Sequence, residues 1–287
     1  MKHKKKFNSI PLLVLAFIAF LGLYLYPFIA DKWNAYVNQQ LIVGYQAQLD
    51  SGVSKDKYEQ YYKEAVAYNE NLSKRVVQVV TGLENEKSEE YENLLNMNDE
   101  GMMGYIEIPK LSIKVPIYHY STDDVLEKGI GHVHGSSLPI GGEGNHSVLT
   151  GHRGLPSSKL FTYLDEMKLG DKFYIHILGK DLAYEINDIQ VVLPAKTDSL
   201  VLEKGKDLVT LVTCTPYGVN THRLLVTGER IEYNLQDKKV EESKGQELQV
   251  KQTITPENML VFGLVLFVIV VIVSMGTNRK SKKGKNV

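Results

Sequence analysis

Cys214 is the only cysteine in the 287 residues of the chain. It closes the run DLVTLVTC, and Arg223 opens the next run, RLLVTGER. A breaker cluster of Pro216, Gly218 and Asn220 separates them. The pattern predicts strand, loop, strand. Two antiparallel neighbours joined in this way bring a thiol and a guanidinium side by side. A lone thiol forms no intramolecular disulfide, so it is either a buried inert residue or a reactive one. A reactive one needs thiolate character, a proton donor for the leaving group, and positive or N–H character where an oxyanion forms. Arg223 offers fixed charge and five donors.

The proton donor has to come from eight histidines. His3 lies in a basic N-terminal stretch, and His176 alternates within a strand-like run and reads as structural. His119 follows a strand and has no evident partner. His222 neighbours Arg223 on a strand and so faces the other way. The glycine-rich stretch Gly129–Gly154 holds the rest: His132, His134, His146 and His152. Clustered histidines can ligate zinc, but this spacing is irregular, and no metal is expected. His146 opens the β run His146–Thr150 and reads as a buried hydrogen-bonding residue. His152 sits just past that run, on a Gly-His-Arg-Gly turn, as Cys214 sits at the end of its own. A strand-end histidine facing a strand-end cysteine is the geometry a Cys–His pair needs.

Short β-like runs carry these residues: YIEIP, SIKVPIY, HSVLTG, KFYIHIL, AYEINDIQVVL, DLVTLVTC and LLVTGERIEY. With one helix-like piece around Leu160–Met167, they predict an antiparallel sandwich or barrel. Pro109 and Pro116 fit strand edges. Before them, Tyr58, Tyr61, Tyr62, Ala65, Val66, Tyr68, Leu72, Val76 and Val79 recur at helical spacing, with Ser54 as N-cap. The hydrophilic stretch after Tyr233 reads as a linker.

The formal net charge is −1, which gives no basic face for nucleic acid. The charge is unevenly placed, and the ends show it. Ile10–Ala30 carries none and is long enough to cross a bilayer, which takes about 20 apolar residues. Lys2, Lys4, Lys5 and Lys6 precede it, and Tyr24, Tyr26 and Trp33 lie near its far end. A second apolar run, Met259–Met275, is followed by Arg279, Lys280, Lys282, Lys283 and Lys285. Basic flanks stay cytoplasmic. The expected topology is two-pass, with both termini cytoplasmic and the middle of the chain extracellular. The alternative for the first segment is a cleaved signal peptide, against which its length argues. The expected organisation is a basic tail and span at 1–30, helices at 31–100, a β domain at 101–235, a polar linker at 236–258, a second span at 259–275 and a basic tail at 276–287.

The motifs resemble those of the sortase family. TLVTC at Thr210–Cys214 matches the Thr-Leu-x-Thr-Cys signature, LTGHRG at Leu149–Gly154 the histidine motif, and THRLLVTGER at Thr221–Arg230 the arginine strand. The long helical N-terminal stretch and the C-terminal apolar run look most like class C, the pilus-assembling sortases of Gram-positive bacteria. The resemblance implies an all-β fold: a closed eight-stranded β-barrel with short helices, preceded by N-terminal helices and flanked by two transmembrane helices. It implies a cysteine transpeptidase that cleaves a Leu-Pro-x-Thr-Gly-like signal between Thr and Gly. Cys214 would be the nucleophile, His152 the general acid and base, and Arg223 the stabiliser of oxyanion or substrate. Thr213, Thr215, Leu149 and Thr150, which flank the cysteine and histidine, are expected to bind substrate. Partners would be pilin subunits bearing such signals and an acceptor lysine, at a membrane, with no cofactor. The alternatives are attachment of proteins to cell-wall peptide, or a non-catalytic surface scaffold. Many class C sortases carry an Asp-Pro-aromatic lid, but Val80–Asn98 has no proline, so Cys214 is expected to be more accessible.

Overall fold

A computed structural model describes residues 10–50, 55–73, 87–97, 101–196 and 200–253, together with Val265 and Val268. Ser54, Val76, Val79, most of Met259–Met275 and both basic tails lie outside the described residues.

The helices are α1 (Ile10–Asp50), α2 (Lys55–Ser73), α3 (Glu89–Asn93), α4 (Asp123–Leu126) and α5 (Leu235–Thr253). The strands are β1 (Met102–Ile108), β2 (Ile113–His119), β3 (Ile130–His132), β4 (Asn145–Thr150), β5 (Lys172–Ile177), β6 (Lys180–Val192), β7 (Asp207–Thr215) and β8 (His222–Ile231). They close into a barrel in the order β1-β2-β3-β4-β7-β8-β6-β5. Most neighbours are antiparallel, but β2–β3 and β4–β7 pair in parallel. The barrel is filled by alternate residues of each strand, among them Ile106, Ile175, Leu211 and Val226, all fully buried. Each such side chain contributes roughly 1.5–3 kcal/mol of transfer free energy. Pro116 lies one residue before the parallel ladder with β3 begins, where β2 has a single neighbour.

α1 is a single helix of 41 residues, about 60 Å long. It is the one helix among the described residues long and apolar enough to cross a membrane. Its C-terminal part docks on the barrel: Ile42 and Tyr45 pack with Met102, Tyr105 and Tyr118. The Tyr45 hydroxyl donates to Met103 O at 3.2 Å and accepts from Leu178 N at 2.9 Å. α2 lays its tyrosine stripe on the core. It is pinned by Asn69, whose amide donates to Leu138 O at 3.2 Å and accepts from Leu138 N at 2.8 Å. Within 80–98, residues 87–97 are described. Ser88 caps α3 by accepting from Tyr91 N. The Tyr91 ring is fully buried against Tyr68, His119, Tyr120, His132 and His134.

Three expectations change. The helix-like piece near Leu160–Met167 is a 3-10 turn at Leu164–Glu166. β3, an added strand, is three residues long, too short to show a period. The polar stretch after Tyr233 is not a linker but α5. Asn234 caps it, accepting from Gln236 N at 2.8 Å, and no proline interrupts it. It docks by charge instead of an apolar stripe. Lys238 meets Glu107 at 2.8 Å, Lys172 meets Asp237 at 2.8 Å, and Lys244 bridges Glu241 at 2.6 Å and Asp171 at 3.0 Å.

Gly245 sets how closely α5 approaches. A Cβ there would lie 2.3 Å from Pro109 O and 3.2 Å from Lys110 O. In a solvated helix, Gly→Ala stabilises by about 1 kcal/mol. Here Gly245→Ala is expected to destabilise by about 1–3 kcal/mol, as overpacking does. Urea denaturation measures it, and stabilisation instead would mean that α5 does not rest on Pro109.

Candidate active site

β7 is the central strand of the site, between β4 and β8 in the barrel order. The tight segment Pro216–Thr221 returns the chain from β7 into β8. Val219 N and Asn220 N both donate to Pro216 O, at 3.1 and 3.0 Å. Gly218 and Asn220 adopt φ of +73° and +61°, a left-handed conformation that these two residue types tolerate best. The register that results pairs Cys214 directly with Arg223, about 5 Å between Cα atoms.

His152 approaches from the other side. The parallel ladder β4–β7 pairs Thr150 with Val212. It continues past the strand end, because Gly151 N donates to Val212 O at 3.1 Å and Thr213 Oγ1 donates to Gly151 O at 2.8 Å. His152 is the next residue after Gly151, as Cys214 is the next after Thr213. Gly151 permits this course. A Cβ there would lie 2.6 Å from Ile130 Cδ1 and 2.8 Å from the Phe161 ring. Phe161 N in turn donates to His152 O at 3.1 Å and fixes the turn.

Alternation along the strand sets the face. Val212 and Leu225 lie on the outer face, clustered with Val148 and Leu200. Cys214 shares the Val212 face and Arg223 shares that of Leu225. The thiol therefore stands at the edge of an apolar floor, partly exposed. Val192, which packs on that floor, pairs with Arg223. Val133 also packs against this floor. Arg223 Nη1 makes long contacts to Asn220 O and His222 O, at 3.4 and 3.3 Å. Strand pairing sets Arg223 opposite Cys214, and the chain that bears His152 leaves the ladder on the other side of β7, next to the apolar floor of Val148, Val212 and Leu225. This arrangement can attack a carbonyl, protonate an amine leaving group and hold an oxyanion.

The residues expected to bind substrate divide into two groups. Thr150 and Thr215 are partly exposed. Leu149 is fully buried in the barrel core, and Thr213, 2% exposed, donates its hydroxyl to Gly151 O. These two are corrected from substrate contacts to supports. They point inward on their strands, so the motif places them beside the reactive groups without presenting them to a ligand.

Four of the other histidines have structural partners. His146 faces Val201 O at 2.8 Å and Thr210 Oγ1 at 2.7 Å, the buried role expected of it. His176 stacks on Tyr105 and pairs with Asp181. His119, expected to be without a partner, has both nitrogens on carbonyls, Gly101 O at 2.9 Å and Leu94 O at 2.7 Å. His132 meets the Tyr91 hydroxyl at 2.6 Å and Ser137 O at 2.9 Å. Among the described residues no group of three or more His, Cys, Asp or Glu side chains is arranged to hold a metal ion.

Burial pushes the His132 imidazole down to about 3, against the weaker upward pull of Ser137 O. The folded chain therefore keeps it neutral, while the unfolded chain protonates it near 6.5. Stability is full above that value and falls with pH down to about 3. Between pH 6.5 and 4.5 the loss from His132 is up to about 3 kcal/mol. Thermal unfolding across this range is expected to show it. His132→Gln starts less stable and has a flatter dependence; an equal slope in the variant would remove His132 as the source.

The profile of the Sortase domain matches residues 106–231, the barrel from β1 to the end of β8. Sortase A of Bacillus anthracis is 29% identical over 136 residues, 47% of this chain. The match spans 63% of that relative's length, less than two thirds of it. The crystal structure of sortase C1 from Streptococcus agalactiae superposes with a TM-score of 0.62 and is 42% identical, covering 68% of this chain and all of that one. The chain belongs to the sortase family. Another sortase, sortase C of Clostridium perfringens, solved with the C-terminal cell wall sorting motif, has a TM-score of 0.58 and 45% identity, covering 68% of this chain and 99% of that one. As in the sortase fold, the barrel is closed and eight-stranded.

Arg153 went unnoticed at the sequence level. An arginine after a candidate histidine carries no signal of its own. Its partners, Thr215 and Asp165, are distant in sequence.

Proposed function

We propose that this sortase is a membrane-anchored class C transpeptidase that assembles pili. Cys214 attacks the threonine carbonyl of a Leu-Pro-x-Thr-Gly-like signal. The Thr–Gly amide breaks, a thioester to Cys214 forms, and His152 protonates the departing glycine amine. A lysine amine of a second pilin then loses its proton to His152 and displaces the thiol. The products are an isopeptide bond and the free enzyme, with no cofactor consumed. Arg223 holds the carbonyl oxygen as negative charge develops on it. The Leu-Pro end of the signal lies on the apolar floor that Val192 and Val133 pack against.

The observation that carries this reading is the strand order β4-β7-β8, in which Cys214 pairs with Arg223 and the strand leading to His152 pairs with the one that bears Cys214. Similarity to structures named sortase C supports the class, one of them solved with a sorting motif. The apolar part of α1 supports anchoring. Both basic ends would lie in the cytoplasm, with Met259–Met275 as the return crossing and the barrel outside.

The full chain in detergent, given a signal peptide, would be offered a pilin domain and a wall-peptide amine together. Joining to a pilin lysine, located by tandem mass spectrometry, is the expected outcome. Exclusive use of the wall-peptide amine would replace pilus assembly with wall anchoring.

A further inference from the structure

Arg153 follows His152, and its side chain is only 7% exposed. Nη1 donates to Thr215 Oγ1 at 2.9 Å. Nη2 pairs with Asp165 Oδ2 at 2.5 Å. Nε is buried and has no partner among the described residues. Three segments meet on this one guanidinium: the turn that carries His152, the residue after Cys214, and the 3-10 turn Leu164–Glu166. The same turn is held from behind, where Gly154 N donates to Thr162 Oγ1 at 3.0 Å.

The bridge has a mechanical consequence. A backbone bond from Gly151 N to Val212 O and a side-chain bond from Thr213 Oγ1 to Gly151 O tie the end of β4 to β7. Beyond them β4 and β7 no longer pair, although β8 still holds Cys214 and Phe161 N still holds the His152 turn. The Arg153–Thr215 bond closes the gap one residue further out, so Cys214 and His152 are held between two cross-links. A planar guanidinium serves two acceptors in fixed directions, which a lysine ammonium does not. Asp165 is 48% exposed and balances the buried cation from the solvent side.

We propose that Arg153 is a positioning residue for the thiol–imidazole pair, locking the end of β7 to the turn that bears His152. This rests on the reading of Cys214 and His152 as the reactive groups. Displacing a reacting group by about 1 Å costs about 100-fold in rate, so the effect belongs in kcat.

The test compares Arg153→Ala, Arg153→Lys and Thr215→Val in the full chain, on a fluorogenic signal peptide. Arg153→Ala is expected to lower kcat about 100-fold, with KM changed by less than about 3-fold. The pH profile of Cys214 alkylation moves with it, because the imidazole loses its place beside the thiol. Thr215→Val cuts the same bond from the other side and lowers kcat about 10-fold, following the hydrogen bond lost. Arg153→Lys recovers part of the loss. The double variant Arg153→Ala/Thr215→Val is no worse than Arg153→Ala, as expected of one shared interaction.

A rise in KM with kcat intact would overturn the proposal and make Arg153 a substrate contact. Near-wild-type kcat in both Arg153→Ala and Thr215→Val, with an unmoved alkylation profile, would overturn it as well. If Arg153→Ala does not fold by circular dichroism, Thr215→Val decides alone. Cys214→Ala serves as the control: cleavage surviving in it sinks the reading of the active site, whereas its inactivity beside a fully active Arg153→Ala sinks only the positioning role.

Discussion

Cys214→Ala is expected to abolish cleavage of a Leu-Pro-x-Thr-Gly-type peptide, lowering kcat by at least about 10⁴-fold. The thiol ends its strand with one side partly exposed, so the substitution removes a reactive group without opening a core cavity. Stability should change by less than about 1 kcal/mol. The two numbers together separate a nucleophile from a structural thiol. A buried inert cysteine would give the reverse, a stability loss with no effect on chemistry. Peptide binding to Cys214→Ala should persist, since the apolar surface and Arg223 remain. Parallel turnover and fluorescence-anisotropy measurements test both halves.

His152→Ala is the second large effect. General acid–base catalysis contributes about 10²–10⁴-fold, and His152 serves both half-reactions in the proposed mechanism. Protonating the glycine amine and deprotonating the incoming amine should therefore both slow. The pH dependence of kcat/KM should lose the limb that reports the imidazole. His146→Gln is the contrast. Its ring is committed to Val201 O and Thr210 Oγ1, so that variant should lose stability and keep the pH profile. If both variants shared one pH profile, His152 would not be the proton carrier.

The β7–β8 hairpin was legible from sequence because everything that defines it is local. Two β-branched runs and a Pro-Gly-Asn segment fix the pairing of Cys214 with Arg223, and the structure shows that register. His152 was legible as a strand end, but its partner strand was not. β4 and β7 pair in parallel, and a parallel ladder leaves no turn signature between its members. Position in a motif also misled for Leu149 and Thr213, since proximity along the chain says nothing about which face a side chain takes.

α5 failed for a different reason. Helical periodicity reads an apolar stripe, and this helix docks through Lys238, Lys244 and a close backbone approach at Gly245. His119 finds its acceptors in an irregular segment, Leu94 and Gly101, which no pattern announces. The membrane expectations divide as well. The first apolar run forms a helix that continues on to dock against the barrel, while Met259–Met275 lies mostly outside the described residues.

The continuity of α1 bears on the site directly. Asn34 Nδ2 donates to Ser157 O at 2.7 Å, and Asp31 accepts from Lys159 N at 3.0 Å. The residues just past the apolar segment thus grip the loop that follows His152. Barrel, α1 and the segment after His152 are joined in one set of contacts.

The central claim is that Cys214 carries the acyl group. Intact and peptide-level mass spectrometry of the full chain, quenched with acid during turnover of a signal peptide, measures it most directly. The predicted result is an added mass equal to the signal up to its threonine, located on Cys214 and released by hydroxylamine as a thioester should be. An acyl adduct on any other residue, or turnover with none on Cys214, would contradict the account.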